Sequence, residues 1–159
     1  MKIKMIAAAT LAAAAAAAAI PALTGAQSGG PRDITLRMKV QSGTEVKHGA
    51  GRALATGDSL LVRLAVFDTA GARVGSAYTD CTNVGPRARA DRATLQCTQT
   101  YRLRDGQIVT TGVASFSALD DLSIPIVGGS GAYRGATGHL SNGTPVEGFD
   151  SVDVLHIDG

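Results

Sequence analysis

The stretch Leu95–Gly112, LQCTQTYRLRDGQIVTTG, decides the fold class because it holds two strand patterns joined by a strong turn signal. Apolar and polar residues alternate on both sides of Asp105-Gly106, which is typical of strands with one buried face. Asp-Gly favours a type I′ hairpin turn, whose two central residues need positive φ. The sequence therefore predicts an antiparallel hairpin. Its expected opposing pairs are Leu103 with Ile108, Tyr101 with Thr110, and Cys97 with Ala114.

This register predicts one buried face and one mostly polar face, as the wall of a barrel or sandwich requires. The expected inner face holds Leu95, Cys97, Gln99, Tyr101, Leu103, Ile108, Ala114 and Phe116. The expected outer face holds Thr94, Gln96, Thr98, Thr100, Arg102, Thr111 and Ser115, together with Val109 and Val113.

The same alternation continues outside the hairpin, and helical periodicity is nearly absent. Further strands are predicted at 34–40, 59–68, 73–81, 122–127, 135–140 and 150–157, with turns at Asp68–Gly71 and at Asn142-Gly143. About eight antiparallel strands with hairpin links favour a closed barrel, which leaves no sheet edge exposed. A sandwich of two sheets is the alternative.

Residues 1–26 have the layout of a secretory signal: Lys2 and Lys4, then an apolar run, then small residues before a cut between Ala26 and Gln27. The Ala-rich run is weakly hydrophobic, which favours cleavage, and an uncleaved membrane anchor is the alternative. We expect a flexible lead-in at 27–32, a single barrel domain at 33–159, and a secreted or periplasmic protein. Beyond residue 26, 13 of the 15 basic residues remain and balance 13 acidic ones. A net charge of zero argues against a nucleic-acid partner.

An exported protein with two cysteines is expected to form a disulfide, here Cys81–Cys97. Both cysteines are equally distant from Arg89, so a hairpin turning there sets them opposite each other, close enough to bond. Two buried free thiols are the alternative. Neither cysteine has a neighbouring His or a CxxC partner, which argues against redox catalysis and zinc binding.

Three stretches together resemble a known family: GDSLLVRLAVFDTAGARVGSAYTDC (57–81), LQCTQTYRLRDGQIVTTG (95–112) and IPIVGGSGAYRGATGHL (124–140). They are similar to the allene oxide cyclase and dirigent protein barrels, in particular to small exported bacterial members. The order carries the resemblance: a Gly-Asp that opens a strand, an Arg-Val-Gly return, the paired cysteines, and then a glycine-rich stretch with an aromatic residue and an Arg.

The resemblance implies an all-β, eight-stranded antiparallel barrel of the calycin type whose lumen accepts a small hydrophobic molecule. Relatives cyclise a fatty-acid epoxide, steer phenol coupling or close polyketide rings, and none of these reactions needs a metal or nucleotide cofactor. The resemblance also implies a dimer or trimer. The catalytic carboxylate, Pro and Asn of the cyclases do not align onto positions of this chain, so no catalytic residue is carried over.

Four polar residues on apolar strands are the candidate ligand-binding residues. Gln99 and Tyr101 share the predicted inner face, Arg63 interrupts the most apolar strand, and Tyr78 lies on the facing hairpin. A buried polar group needs a partner, which a ligand in the lumen could supply. The alternative is that Tyr101 is core, Gln99 bonds across the barrel, and Arg63 faces solvent or a subunit interface.

The other polar motifs are better explained by structure than by chemistry. The stretch from Gly128 to Gly135 lacks the ending of a phosphate loop and is expected to form a tight crossing between strands. Its expected contributors are Gly128, Gly129, Gly131 and Gly135, with Tyr133 capping the barrel end and Arg134 stacking or pairing with an acid. Asp120-Asp121 has the composition of a turn.

His48, His139 and His156 lie in different elements without metal-ligand spacing, so we expect no metal site and either exposed or singly hydrogen-bonded histidines. No GxSxG motif or Cys–His pair marks a nucleophile.

Three functional hypotheses remain open: a binding module for a hydrophobic metabolite, an enzyme that steers cyclisation or coupling, and a structural or cell-envelope protein whose barrel is filled by its own side chains.

Overall fold

The structure is a computed structural model that describes residues 30–48, 51–115 and 123–158. Its strands are β1 (Arg32–Val46), β2 (Ala53–Leu54), β3 (Ser59–Phe67), β4 (Arg73–Asn83), β5 (Ala88–Arg89), β6 (Thr94–Leu103), β7 (Gly106–Ser115), β8 (Ile124–Gly131), β9 (Gly138–Asn142) and β10 (Ser151–Ile157), with a short 3-10 helix at Ala90–Arg92. Within the described ranges, no helix has the length and apolar composition needed to cross a bilayer.

Eight strands close into an antiparallel barrel in the order β1-β10-β9-β8-β7-β6-β4-β3, and β2 and β5 form a small separate sheet. The predicted eight-stranded barrel is confirmed, and the sandwich alternative is wrong. Several sequence predictions lie outside the described residues: the signal at 1–26 with its cut between Ala26 and Gln27, the inward Phe116, and Asp120-Asp121.

The predicted β6–β7 register is wrong by two residues, but its faces are right. Leu103 pairs with Gly106, Tyr101 with Ile108, and Cys97 with Gly112. The turn consists of Arg104 and Asp105, neither of which has positive φ, so the expected type I′ turn does not form. Gly106 instead begins β7, where a Cβ atom would overlap the backbone oxygen of Ser130. Since side chains alternate with a period of two, a two-residue shift leaves every side chain on its predicted face.

A disulfide joins β4 to β6, as the sequence predicts. Cys81 lies directly opposite Cys97 in the ladder, and the two sulfur atoms are bonded. The connection between these strands is not a simple hairpin, because it contains β5 and the 3-10 helix. Together with β2 these elements form a flap, whose buried Leu54 and Ala93 pack against Cys81 and Leu95.

Two buried polar residues hold the flap to the end of the barrel. The Asp58 carboxylate accepts backbone N–H bonds from His48 and Ala55, both at 2.8 Å, and these bonds lower its pKa. The Asn83 amide donates to the carbonyl of Leu54 at 3.1 Å and accepts from the backbone of Gly85 at 3.2 Å. Both side chains are almost fully buried, so these bonds satisfy polar groups that water cannot reach.

The later strands differ in extent from the sequence prediction. β8 runs on to Gly131 and β9 begins only at Gly138, because the first glycines of the stretch 128–135 pair with β7 instead of turning. The tight turn is limited to 132–135; Gly131, with φ 62°, precedes it and Gly135, with φ 77°, is its last residue. The predicted turn at Asn142-Gly143 is also wrong, since a loop at 143–150 leads to β10.

Candidate functional site

A cavity of ≈ 240 Å³ occupies one end of the barrel lumen. We call it the mouth cavity. All eight barrel strands contribute residues to its wall. These residues are Met38, Leu60, Val62, Leu64, Thr79, Cys81, Leu95, Cys97, Gln99, Ala114, Ile124, Leu140, Asn142, Ser151 and Asp153. This wall is mostly apolar and includes the disulfide.

Side chains fill the middle of the barrel below the mouth cavity. We call this layer the packed belt, and it consists of Leu36, Val66, Ala77, Tyr101, Ile108, Ile126 and Leu155. Val66, Ala77, Tyr101, Ile108 and Leu155 are each 0% exposed. The belt closes the mouth cavity from below. Beyond it, the far end of the barrel has a separate depression of ≈ 210 Å³ near Tyr133.

A polar cluster lies where the mouth cavity meets the packed belt. The Tyr101 hydroxyl donates to Asp153 Oδ2 at 2.6 Å, and the Gln99 amide donates to the same oxygen at 3.0 Å. Thr79 Oγ1 donates to Gln99 Oε1 at 3.0 Å. Because Asp153 is on β10 and the other three are on β4 and β6, these bonds cross the lumen and fix the carboxyl at the cavity floor.

Burial changes the acid–base behaviour of this cluster. Removal from water raises the pKa of Asp153 above its usual value, although the bonds from Tyr101 and Gln99 oppose the rise. Burial also raises the pKa of Tyr101 well above its usual value, and the nearby carboxylate adds to that effect. Asp153 therefore combines a fixed position on the cavity floor with a proton held more tightly than in water.

Thr110 is a second polar feature at this level. It faces Gln99 across the β6–β7 ladder and is 1% exposed. Among the residues that the structure describes, its Oγ1 is the one buried side-chain nitrogen or oxygen without a hydrogen-bond partner. An unpaired buried hydroxyl costs free energy, which a bound water or a ligand group could recover.

The structure separates the four predicted ligand-binding residues into two pairs. Gln99 lines the mouth cavity, and Tyr101 lies directly beneath it in the packed belt. Arg63 and Tyr78 do not face the lumen, in agreement with the alternative that Arg63 faces solvent. Their side chains meet on the outer face, with the Arg63 guanidinium 5.9 Å from the Tyr78 ring centre, where both line a shallow groove. The run SLLVRLAVF is apolar on both faces, so its sequence alone could not assign an inner side.

Asp153 is the residue that the sequence analysis missed. It stands in SVDVLHI, whose alternation places Asp153 on the same face as Leu155 and Ile157. A single acidic residue on an otherwise apolar inward row was the available signal. The segment otherwise has only the pattern of a closing strand, so the acidic residue did not stand out as a candidate.

The glycine stretch and two of the histidines make contacts that stabilise the fold. Tyr133 packs beside the core at the far end of the barrel, and the Arg32 guanidinium lies 5.4 Å from its ring centre. The expectation of an exposed or singly hydrogen-bonded histidine holds for the exposed His139 and is wrong for His156, which is half-buried and has two side-chain partners. The rings of His139 and His156 stack with centres 4.5 Å apart, and His156 bonds to two further side chains. In the described parts of the chain, no group of three or more His, Cys, Asp or Glu is placed to hold a metal ion.

Comparison with known families identifies the barrel. A sequence model of the allene oxide cyclase barrel-like domain matches residues 36–152. The chain belongs to this family. The match begins in β1 and ends at the second residue of β10, so it reaches every barrel strand and stops just before Asp153. A search of curated proteins finds no match.

Solved structures of similar shape include proteins with several activities. A pyocyanin demethylase aligns with a TM-score of 0.66 at 21% identity, covering 79% of this chain and 99% of its own. AbnU, an exo-specific intermolecular Diels-Alderase, aligns at 0.60 and 15% identity, covering 82% and 100%. A pterocarpan synthase dirigent protein aligns at 0.55 and 16% identity, covering 80% and 91%. At these identities the likeness shows a shared fold, which hosts different chemistries.

Proposed function

We propose that the mouth cavity binds a small, neutral, mostly hydrophobic molecule. The observation that carries this proposal is an apolar cavity with one fixed polar group, Asp153, on its floor. Pockets for drug-sized ligands have about 300–1,000 Å³. The ≈ 240 Å³ of the mouth cavity therefore suits a ligand smaller than those, or one that extends out of the barrel. The same volume supports a binding role over a barrel filled entirely by its own side chains.

The charges of the wall favour a neutral ligand. The residues that line the cavity include Asp153 but no Lys, Arg or His in the described part of the chain. A ligand carboxylate would leave water without gaining a cationic partner and would face the Asp153 carboxyl, which is unfavourable. A ligand hydroxyl or carbonyl could instead exchange a hydrogen bond with this group.

A second, enzymatic function is favoured by the position of Asp153. A carboxyl group with a raised pKa, held by Tyr101 and Gln99, is suited to move one proton to or from a bound molecule. The closed walls would hold the reacting atoms of that molecule near each other, as cyclisation or coupling requires. In this role Asp153 transfers the proton, and Tyr101 and Gln99 position the Asp153 carboxyl.

Binding can be tested with naphthol and naphthoate, two probes of similar shape of which only the second is an anion. We expect naphthol to bind, measured by calorimetry, and naphthoate to bind at least tenfold more weakly. Ala114→Phe, which projects into the cavity, should abolish naphthol binding, whereas Val113→Phe on the exposed face of the same strand should not. Equal binding by both variants, or no binding of naphthol to the unmodified protein, would refute the proposal.

Native mass spectrometry of protein from its own source tests the enzymatic role. We expect a co-purifying small molecule that Asp153→Asn retains without converting it. Asp80→Asn on the outer face is the matched control and should convert it as the unmodified protein does. Conversion by Asp153→Asn at the unmodified rate would eliminate Asp153 as the proton-transferring group, and absence of conversion by the unmodified protein would eliminate the enzymatic role and leave binding intact.

We also propose that the protein is exported after cleavage between Ala26 and Gln27. The Cys81–Cys97 disulfide supports an oxidising compartment, since cytosolic thiols are kept reduced. N-terminal sequencing of protein collected outside the cytoplasm should begin at Gln27. An intact Met1 on that protein would contradict cleavage.

A further inference from the structure

Three side chains on the outer face of the barrel form a connected Ser–His–Asp set. His156 Nε2 lies 2.9 Å from Ser141 Oγ, and His156 Nδ1 lies 2.8 Å from Asp33 Oδ1. Both distances are within hydrogen-bond range, and the two ring nitrogens have different partners. This set lies apart from the mouth cavity, whose wall includes none of the three residues.

The barrel topology creates this arrangement from residues far apart in sequence. Asp33 on β1 and His156 on β10 are direct ladder partners, while Ser141 on β9 pairs with Val154, two residues before His156. Their side chains share the outer face because their neighbours point inward: Leu140 and Leu155 are buried in the core and Ile34 packs against it. No local motif contains all three residues, so a motif search could not find them.

We propose that Ser141 is a nucleophile for acyl transfer, activated by His156 as general base, with Asp33 as the positioning residue. A carboxylate on Nδ1 holds the imidazole in the tautomer whose Nε2 can accept the serine proton. Both contacts of this scheme are present here: Ser141 with His156 Nε2, and Asp33 with His156 Nδ1. The His156 side chain is 32% exposed and that of Asp33 is 63% exposed, so a substrate can approach from solvent.

The reaction would proceed in two balanced steps. Ser141 Oγ attacks the carbonyl carbon of an ester while its proton moves to His156 Nε2. The acyl–oxygen bond of the ester then breaks, and the leaving alcohol takes that proton. Water attacks the acyl-serine with His156 again as base, which releases the acid and restores the serine hydroxyl. No oxidant, metal or cofactor enters the balance.

The surroundings of Ser141 define the substrate class. Ser141 lies within a paired strand, not on a turn or at a helix start where two free N–H groups could bind an oxyanion. Loss of one such donor costs other enzymes about 10²–10³ in kcat, so unactivated esters and amides should react very slowly here. The site is therefore expected to act on activated acyl groups, such as aryl esters, and its open face sets little limit on their size.

The test is acylation of the full chain by p-nitrophenyl acetate, followed by peptide mass spectrometry. We expect one acetyl group on the peptide that contains Ser141, and p-nitrophenol release that Ser141→Ala abolishes. His156→Gln should slow the release by about 10²–10⁴-fold, the usual contribution of a general base. Asp33→Asn should slow it less, and Asp33→Glu should restore part of the loss, which a merely structural role would not produce.

Ser130→Ala is the matched control, since Ser130 is an exposed strand serine. It should leave both the rate and the label unchanged. The melting temperature of each variant shows whether it is folded, and labelling of the unmodified protein is informative without any variant. Absence of acetyl on Ser141, or labelling unaffected by His156→Gln, would overturn the proposal. Neither result bears on naphthol binding in the mouth cavity, so the two proposals fail independently.

Discussion

The mouth cavity and the packed belt belong to the same barrel, yet one is hollow and the other is solid. On β6, Cys97 and Gln99 line the cavity, while Tyr101, two residues further on, is fully buried in the belt. On β7, Ala114 lines the cavity and Ile108 fills the belt. The bulky Tyr101 and Ile108 lie in the belt and the smaller Cys97 and Ala114 line the cavity, so on these two strands side-chain size contributes to where the barrel has space.

The boundary between the two regions is where polar chemistry enters the lumen. Asp153 lies on the cavity side and Tyr101 on the belt side, and a 2.6 Å hydrogen bond joins them. The belt excludes water from one side of the carboxyl, which raises its pKa, while the cavity leaves room for a ligand on the other. The contrast between a packed layer and a hollow layer can be tested residue by residue.

The largest expected effect is on stability, from truncating the belt. Leu155→Ala removes a 0% exposed side chain and should lower the free energy of unfolding by about 2–5 kcal/mol. Leu60→Ala, the same change on the half-buried cavity wall, should cost less than half as much, because its neighbourhood is already hollow. Urea denaturation measures both values. Equal losses would remove the distinction between the two regions.

The disulfide should have the next largest effect, and it acts on the cavity side. Replacing Cys81 and Cys97 together with serine opens a loop with a sequence separation of 16 residues. In the chain-entropy model, a loop of this size corresponds to about 3 kcal/mol of unfolding free energy. Hydrogen exchange should then quicken around the mouth cavity before it quickens in the belt. Uniform exchange in the double variant would show that the regions unfold as one unit.

Tyr101→Phe tests the bond across the boundary. The variant keeps the belt filled but leaves Asp153 Oδ2 with one donor fewer, so the expected loss is about 1–3 kcal/mol of unfolding free energy. In an Asp153→Asn background the same change should cost less, and a double-mutant cycle measures the difference. A coupling of zero would mean that the hydrogen bond does not stabilise the fold.

Asp153→Asn should have the smallest effect on stability, and that effect depends on pH. Because the folded pKa of Asp153 is raised above 3.8, the folded state binds its proton more tightly than the unfolded state does. The stability that this group contributes is therefore present below the unfolded pKa and lost as pH rises through the folded pKa. Asn does not titrate, so the variant should equal or exceed the original in stability at neutral pH, with the gap closing on acidification. Thermal melts over a pH series measure the gap, and a variant that is less stable at neutral pH would reverse the sign.

Most of the fold could be predicted from the sequence, because alternation reports which face of a strand is buried. The β6 and β7 faces were correct despite a wrong register, since a two-residue error preserves the period of two. The cysteine spacing predicted the correct pairing because Cys81 and Cys97 are equally distant from Arg89, as residues that face each other across an antiparallel pair of strands are from its midpoint. Where a strand is apolar on both faces, as around Arg63, alternation carries no information, and the sequence could not decide whether Arg63 faces the lumen or solvent.

The candidate sites were harder to predict because they depend on contacts between distant strands. The bonds that hold Asp153 reach across 52 and 54 residues of sequence, and the bond from His156 to Asp33 spans 123. Neither set has a local motif. Only the closure of the barrel, which brings β10 beside both β1 and β9, places these side chains together.

The most direct test of the contrast between cavity and belt is a crystal structure of the protein under xenon pressure. Xenon enters apolar cavities that side chains leave empty. We expect one xenon site in the mouth cavity, among Leu60, Val62 and Ala114, none in the packed belt, and loss of that site in Ala114→Phe. Xenon within the belt, or a mouth cavity closed by its own side chains and free of xenon, would contradict the account.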